Sequence, residues 1–252
     1  MTTANGPKIS VRNLEMSYGS FVIQKDLSFD IKEGEVFIIM GGSGCGKSTL
    51  LRHLIGLKEP AKGEIFIRGE NFWSANPKQK EKIMKSMGVL YQSGALWSSM
   101  TLAENVSIPL NKHKNLSKNE VNEIVSLKLA LVGLAGYENF YPSEISGGMR
   151  KRAGLARAMA LDADILFFDE PSAGLDPISS KRLDELILEL RDSLNTTVVV
   201  VTHELQSIFD IADNSIFLDA EERTITARGN PSEMKKSSSN SKVREFLNRG
   251  KL

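Results

Sequence analysis

The sequence predicts an α/β fold: a parallel β-sheet covered by helices, with an antiparallel β layer and an inserted helical subdomain. Three short runs, at 36–40, 165–168 and 198–201, are continuously apolar. Strands that carry helices on both faces of a parallel sheet have this composition, whereas half-exposed strands alternate. Between residues 71 and 160 the apolar spacing becomes helical, which predicts helices inserted between strands of the sheet.

The opening segment, residues 9–31, predicts the antiparallel layer. Its alternating stretches flank the turn residues Tyr18, Gly19 and Ser20. Alternation on both sides of a short turn is typical of two paired antiparallel strands. Residues 65–67 form a further short β-rich run, which we expect to be another strand.

We expect one domain over residues 8–236, with a sheet core at 8–92 and 161–230 and a helical subdomain at about 93–160. Helical spacing in that subdomain is clearest at the apolar positions Val121, Ile124, Val125, Leu127, Leu129 and Leu131. Residues 237–252 are expected to form a flexible spacer and a tail, because 237–241 is polar and serine-rich. Val243, Phe246 and Leu247 fit one face of a short terminal helix.

Charge, cysteine content and the length of the apolar runs exclude several classes of protein. The 32 basic residues nearly cancel the 31 acidic ones, so we expect no surface for nucleic acid. The lone cysteine, Cys45, excludes an internal disulfide and fits a reducing compartment. No run approaches the roughly 18 apolar residues of a membrane-spanning helix, and residues 1–8 lack the order of a secretory signal. We therefore expect any membrane role to depend on other subunits.

A glycine-rich loop follows the first apolar run and precedes a helical pattern. It comprises Gly41, Gly42, Ser43, Gly44, Cys45, Gly46, Lys47, Ser48 and Thr49. Glycines let successive backbone N–H groups point into one concavity, and the positive end of the following helix adds to it. The pattern predicts a nucleotide site in which Lys47 reaches the β and γ phosphates and Ser48 is a ligand of Mg²⁺. Cys45 fills a small-residue position in this loop.

Two acidic residues, Asp169 and Glu170, follow the second apolar run. An unpaired charge at the end of a buried strand is costly, so we expect a cation to face them. Asp169 suits coordination of Mg²⁺, directly or through water, and Glu170 suits a general base that polarises the attacking water. Helix capping is the alternative explanation for such a pair, and the upstream phosphate loop favours catalysis.

A second glycine motif narrows the class of protein, since a phosphate loop with Asp169 also fits a kinase, a GTPase or a recombinase. Ser146, Gly147, Gly148 and Met149 lie just before a helical run. A serine and two glycines at a helix N-terminus form an anion site. Two anion sites far apart in one chain suggest that two chains share each ATP.

Together these motifs resemble those of ABC-type ATPases, in the family's order and across almost the whole chain. The resemblance implies a P-loop NTPase with a RecA-like core, which binds ATP and Mg²⁺ and hydrolyses ATP as a head-to-tail homodimer. It implies that Tyr18 stacks on adenine and that Gln92 lines the metal and the attacking water. His203 corresponds to the residue that senses the γ phosphate, and it stands at the strand edge where open α/β sheets bind ligands.

The same resemblance implies further site residues. It makes Lys47, Glu170 and His203 the catalytic residues, and the segment 146–149 the signature motif that completes a partner's ATP site. It also implies that the loop 171–176 contacts the second copy, through Ser172, Gly174 and Asp176.

A narrower resemblance concerns the cargo. The segment after Gln92, the stretch 144–152 with Met149 where many ABC proteins carry glutamine, and the ending 242–247 resemble ATPases of Mla-type and other MCE-associated lipid transporters. This implies that the cargo is a phospholipid or related lipid moved across the periplasm between the inner and outer membranes. It also implies permease subunits, an MCE-type lipid-binding protein, and a place on the cytoplasmic side of the inner membrane. The loop 171–176 departs from that subfamily and has the general ABC form. An importer or exporter of another solute stays open, and a soluble ABC ATPase outside transport is the remote alternative.

Overall fold

The computed structural model describes residues 6–112 and 116–249, which form two sheets and a set of helices. The strands are β1 (Ile9–Tyr18), β2 (Phe21–Ile31), β3 (Val36–Gly41), β4 (Lys62–Ile67), β5 (Glu70–Asn71), β6 (Met87–Leu90), β7 (Ile165–Asp169), β8 (Thr197–Val201), β9 (Asn214–Asp219) and β10 (Thr224–Gly229). The α-helices are α1 (Lys47–Leu54), α2 (Pro77–Lys85), α3 (Leu102–Ser107), α4 (Lys118–Leu131), α5 (Gly147–Ala158), α6 (Pro177–Leu194), α7 (Leu205–Ile211), α8 (Pro231–Ser237) and α9 (Ser241–Asn248).

The core sheet has six strands in the order β10-β9-β3-β8-β7-β6. The strands from β9 to β6 pair in parallel, and β10 closes one edge antiparallel to β9. Every residue of β3 and β8 is buried, because helices or the second sheet cover both faces of these strands. The predicted parallel sheet with continuously apolar strands is confirmed.

The second sheet is antiparallel, in the order β2-β1-β4-β5. The first two strands meet in a tight hairpin that pairs Tyr18 with Phe21. Apolar residues of β1, β2 and β4 pack with α1 against one face of the core sheet, where the rings of Phe29 and Phe37 stack at 5.6 Å. The predicted antiparallel layer is therefore present, and α1 is buried between the two sheets.

Helices α3, α4 and α5 are inserted between β6 and β7, as predicted, and join α6 and α7 in an apolar cluster on the opposite face of the core sheet. One expectation was wrong, since β6 is a strand within the stretch where helical spacing was expected. Its four residues alternate in burial, and a run this short carries too little periodicity to separate strand from helix. Within the described residues, no helix is both long and apolar enough to span a membrane.

The expected spacer and tail, residues 237–252, contain a helix within the part that the structure describes, and residues 250–252 lie outside it. Ser237 ends α8, and only 238–240 separate it from α9. The side chain of Asn240 caps α9 by accepting hydrogen bonds from the backbone N–H groups of Lys242 and Val243, at 2.9 and 3.3 Å. The three apolar residues of the expected terminal helix, Val243, Phe246 and Leu247, are buried in the core cluster, and this burial holds α9 in place. The proposed domain boundaries, 8–236 with a helical part at 93–160, stay a prediction.

Candidate functional site

The phosphate loop connects the buried end of β3 to α1, and two of its glycines are required by the backbone. Gly41 has φ +153°, and a Cβ there would overlap the carbonyl oxygen of Leu218 on β9. Gly46, which precedes α1, has φ +97°, and a Cβ there would lie 2.8 Å from Cγ2 of Ile23. Both positions lack room for a side chain, so the neighbouring strands fix the path of the loop.

Lys47 begins α1 and its side chain returns into the loop. Its Nζ donates to the carbonyl oxygens of Gly41 and Gly42, both at 3.0 Å, and the residue is buried. The thiol of Cys45 lies 3.9 Å from the same Nζ, and burial raises the pKa of that thiol. The ammonium group of Lys47 thus lies in the concavity of the loop. Loops of this kind bind the phosphates of a nucleotide there.

Ser48 and Asp169 come together across the loop from different elements. The hydroxyl of Ser48, on α1, donates to Oδ1 of Asp169, at the end of β7, over 3.1 Å. Burial raises the pKa of Asp169; the bond from Ser48 opposes this shift, and the nearby Glu170 adds to it. A hydroxyl beside a carboxylate is an oxygen donor set of the kind that Mg²⁺ takes, together with phosphate oxygens and water.

Glu170 is held in an unusual backbone conformation directly after β7. Its φ of +48° is left-handed, which is uncommon for a residue with a side chain, and its N–H donates to the carbonyl oxygen of Val201 at 2.8 Å. Its Oε1 lies 2.9 Å from Nδ1 of His203, which follows β8. Its Oε2 is buried and has no hydrogen-bond partner among the residues that the structure describes. A strained, fixed carboxylate with a free lone pair is suited to accept a proton from water.

Most of these groups line one cavity of about 620 Å³, whereas Cys45 and Asp169 are not among its lining residues. Its wall consists of Tyr18, Phe21, Ile23, Gly41, Gly42, Ser43, Gly44, Gly46, Lys47, Ser48, Thr49, Glu170, His203, Phe246 and Arg249. The cavity brings together the predicted phosphate loop, the base Glu170, the sensor His203 and the aromatic Tyr18. Tyr18 is half exposed, and Nζ of Lys58 lies 3.1 Å from its ring centroid, so a cation covers one face of the ring.

The second predicted anion site lies elsewhere in the chain, at the start of α5. The hydroxyl of Ser146 caps this helix by accepting from the N–H of Met149 at 3.2 Å. Gly147 and Gly148 form its first turn, and a Cβ on Gly148 would meet Ser179 of α6 at 3.3 Å. None of these four residues is among those that line the cavity of the phosphate loop.

The chain matches the family described as ABC transporter over residues 24–173. It belongs to the ABC transporter family. The match spans the phosphate loop, the segment 146–149 and the acidic strand end at Asp169, in one continuous alignment. The chain is therefore an ABC ATPase that binds ATP, and the predicted enzyme class is confirmed.

Individual relatives extend this membership to nearly the whole chain. The "Probable ribonucleotide transport ATP-binding protein mkl" of Mycobacterium leprae is 42% identical over 243 residues, which are 96% of this chain and 69% of that protein. The "Intermembrane phospholipid transport system ATP-binding protein MlaF" of Haemophilus influenzae is 41% identical over 217 residues, 86% of this chain and 82% of that protein. A dimeric post-hydrolysis structure of the ATP-binding cassette MJ0796, bound to ADP and Pi, is 28% identical with a TM-score of 0.79, covering 88% of this chain and 98% of that chain.

Other predicted residues of the ABC ATPase have local roles in the structure. The carboxylate of Asp176 caps α6 by accepting from the N–H groups of Ile178 and Ser179, at 3.1 and 3.0 Å. A side-chain hydrogen bond from Ser179, together with these backbone bonds, lowers the pKa of Asp176. Ser172 is buried, and its hydroxyl has no partner within the described part of the chain. Gly174 has φ +75° and open space around it. A dimer contact through these three residues stays a prediction.

Gln92, the predicted metal and water ligand, is exposed just beyond β6 and is not among the residues that line the cavity. The segment that follows it is fixed to the helix of the signature motif. Arg157, near the end of α5, donates to the carbonyl oxygens of Ala95 and Gly94 at 2.6 and 3.0 Å. A Cβ on Gly88 of β6 would overlap the carbonyl oxygen of Ala158, so helix and strand touch at their backbones.

Sequence reasoning missed Lys151, which joins the signature helix to the loop 171–176. Its buried Nζ donates to the carbonyl oxygens of Pro171 and, at 2.6 Å, Ala173. Burial lowers its pKa, and the negative charge of Glu170 opposes that shift. The bonded carbonyls lie 20 residues or more along the chain, so no local pattern reveals them. Phe21, Phe246 and Arg249 of the cavity were missed for the same reason.

Proposed function

We propose that this ABC ATPase works as one half of a homodimer and energises the movement of phospholipid by membrane permease subunits. The observation that carries the cargo is the similarity to the phospholipid-transport protein MlaF over 86% of this chain. The dimer rests on the separation of the two anion sites described above and on the dimeric cassette MJ0796. The proposal includes an MCE-type lipid-binding protein and a place on the cytoplasmic side of the inner membrane.

In the proposed dimer each ATP lies between the phosphate loop of one chain and Ser146, Gly147 and Gly148 of the other. The backbone N–H groups of the loop and the ammonium of Lys47 hold the β and γ phosphates. The first turn of the partner's α5 then faces the γ phosphate from the other side, because helix N-termini favour anions. Closure around the nucleotide excludes water and converts ATP binding into movement of the two halves.

The donor set of Ser48 and Asp169 fits Mg²⁺, and Gln92 would add a ligand. When bound, the ion offsets the charge that develops on the phosphates as the bond breaks. The described residues contain no group of three or more His, Cys, Asp or Glu suited to a metal, so phosphate oxygens and water are the natural remaining ligands.

Hydrolysis in this proposal depends on two side chains beyond the parallel strands. Glu170 orients the attacking water with its free Oε2 and accepts a proton from it. His203 holds the carboxylate through the 2.9 Å contact to Oε1 and turns its other ring nitrogen to the γ phosphate. The left-handed backbone of Glu170 keeps the carboxylate at this edge of the sheet.

A separate groove of about 810 Å³ suits the permease. Its wall includes the exposed side chains of Trp97 and Met84, which are 62% and 51% accessible, together with Tyr91, Ile108 and Lys112. Exposed aromatic and methionine side chains in a concavity are typical of a protein contact. We propose that a helix of the permease inserts here, next to the segment 93–95 held by Arg157.

The experiment that tests the cargo is purification of the chain with its membrane partners from its native host, followed by identification of the partners and extraction of lipid. A permease together with an MCE-type protein and bound phospholipid supports the proposal. A second cargo follows from the 42% identity to the protein named for ribonucleotide transport. A permease that retains ribonucleotide and no lipid would favour that cargo and discard phospholipid.

Shared ATP sites are tested by mixing two variants that each have reduced turnover, Lys47→Ala and Ser146→Asp. In a mixed dimer one site keeps an intact phosphate loop from the Ser146→Asp chain and an intact Ser146 from the Lys47→Ala chain. Mixing is therefore expected to restore part of the ATPase activity that each variant lacks alone. Activity that stays absent across all mixing ratios, with mixed dimers demonstrated by differently tagged chains, would contradict the shared site.

A further inference from the structure

The C-terminal helix α9 forms part of the wall of the nucleotide cavity. Phe246 and Arg249 line this cavity beside Tyr18 and the phosphate loop. The helix lies some 200 residues from that loop in the sequence, and none of the predicted nucleotide-binding motifs includes it. Its position therefore adds residues to the nucleotide site that the motifs do not supply.

Burial and aromatic packing fix α9 against the core sheet. Val243 and Leu247 are fully buried and Phe246 is 4% exposed. The ring of Phe246 packs edge-on against Phe217 of β9, with centroids 5.3 Å apart. Since Phe217 pairs with Met40, the residue before the phosphate loop, the ring contact places α9 close to the start of the loop.

A polar connection ties the same helix to the loop. Nζ of Lys242 lies 2.9 Å from a carboxylate oxygen of Asp219 at the end of β9. The backbone carbonyl of Asp219 accepts a hydrogen bond from the buried Gln24 at 2.8 Å, and the same amide group donates to the carbonyl of Cys45 at 2.8 Å. The end of β9 is thus bonded on one side to the phosphate loop and on the other to α9.

Arg249, just past the last turn of α9, carries its charge at the mouth of the cavity. Its side chain is 62% exposed, and its ion pair with Glu245 is at 4.0 Å, too long to hold the guanidinium. The guanidinium lies 5.7 Å from the ring of Phe246, which keeps it on the cavity side. In the same cavity Lys47 donates hydrogen bonds to carbonyl oxygens of the loop. The guanidinium of Arg249, by contrast, has N–H groups available to a ligand.

We propose that Arg249 is a nucleotide-binding residue of its own chain, whose guanidinium contacts the phosphates of the nucleotide held by the phosphate loop. Guanidinium groups bind phosphate through two parallel hydrogen bonds, which makes arginine suited to this role. The buried anchor of α9 positions the residue, and its loose side chain lets it move onto the ligand. The C-terminal helix thereby contributes to ATP affinity within one chain.

The test compares Arg249→Gln with the matched variant Arg244→Gln, which removes the same charge from the same helix. Arg244 donates to the carbonyl of Ser238 and is not among the residues that line the cavity. Dissociation constants for ATP, ADP and adenosine are measured with the full chain in EDTA, where no turnover occurs. Size-exclusion chromatography at the same concentration selects conditions in which the chain is monomeric.

Arg249→Gln is expected to raise the Kd for ATP and ADP about three- to tenfold and to leave the Kd for adenosine unchanged. Arg249→Lys is expected to give an intermediate Kd, and Arg244→Gln no change. An unchanged Kd for ATP in Arg249→Gln would overturn the proposal. An equal rise in Kd for ATP and adenosine, with a lower melting temperature, would also overturn it, because the residue would then only support the wall.

Discussion

The two anion sites of this ABC ATPase differ in what surrounds them. The phosphate loop lies in a cavity with the buried Lys47, with Ser48, which donates a hydrogen bond to Asp169, and with the Glu170–His203 contact. The start of α5 has a capped helix, two glycines and the neighbouring Ser179. One region holds the groups that we propose bind and cleave ATP, and the other holds only groups suited to receive an anion. The groups suited to catalysis in each chain therefore lie together at one site, while the second region is suited to complete the site of another molecule.

The largest effect is expected from Glu170→Gln, which removes the proposed base from the cavity of the phosphate loop. Turnover should fall by about 100-fold or more, because general base catalysis contributes at least that much, while ATP binding should persist. ATPase assays and equilibrium binding measure the two quantities separately. Undiminished turnover would show that the carboxylate of Glu170 is not the base.

The next largest effect concerns the predicted anion site at the start of α5. Ser146→Asp keeps a side chain that caps α5 and adds a negative charge where the partner's γ phosphate is expected. Turnover should fall about tenfold or more, while the melting temperature and ATP binding by the monomer should stay unchanged. Thr101→Asp is the matched control, since Thr101 caps α3 with the same geometry. An equal loss of turnover in both variants would mean that the effect is not specific to this site.

The connection between α5 and the loop 171–176 is tested by Lys151→Met. This change leaves the carbonyl oxygens of Pro171 and Ala173 without their buried donor, so the free energy of unfolding should drop by about 1–3 kcal/mol. Urea unfolding measures the change, and Lys236→Met, on the exposed side of α8, serves as the surface control. If both variants unfold at the same urea concentration, Lys151 does not stabilise the loop 171–176.

The smallest effect concerns Asp184 of α6, beneath the loop 171–176. Burial raises its pKa to about 6, with contributions from Asp210 and Glu185, although Ser207 donates a 2.7 Å bond to it. The folded chain therefore binds this proton more tightly than the unfolded chain, whose aspartates titrate near about 3.9. The free energy of unfolding should fall as the pH rises from about 4 to 6 and stay lower above it.

Asp184→Asn removes the charge that burial disfavours. The variant should be more stable than the parent by about 1 kcal/mol at pH 7.5, and the advantage should vanish near pH 5. Urea unfolding of both chains at the two pH values measures this difference. A constant difference between parent and variant at both pH values would show that Asp184 does not titrate in this range.

Much of the fold was predictable because its signals are local. The continuously apolar runs became β3, β7 and β8, and the hairpin around Tyr18 became β1 and β2. The phosphate loop was predictable for the same reason, since strand, glycines and helix follow one another. The edge strand β6 was not, because four residues with a glycine carry little periodicity.

Residues whose role depends on distant partners were not predictable. Lys151 bonds to carbonyls 20 and 22 residues away, and Gln24 joins Cys45 to Asp219, which lies 195 residues further along the chain. Nothing in the neighbouring sequence marks such residues, because the folded topology alone brings the partners together. The polar capping residue Asn240 and the serines before it resembled a spacer, and only the burial of α9 shows that they shape a helix.

The contact between α5 and β6 has a mechanical consequence. Helix α5 and strand β6 touch at Ala158 and Gly88, and Arg157 donates hydrogen bonds to the carbonyl oxygens of Gly94 and Ala95. We therefore expect α5, β6 and the segment 94–95 to move as one rigid body. Helix α5 spans 12 residues, or about 18 Å at 1.5 Å per residue. A tilt of about 10° imposed at the Arg157 end would then displace Ser146 by about 3 Å, comparable to one hydrogen-bond length. A small movement of the groove beside Trp97 would thus be enough to make or break the proposed contact between Ser146 and the nucleotide.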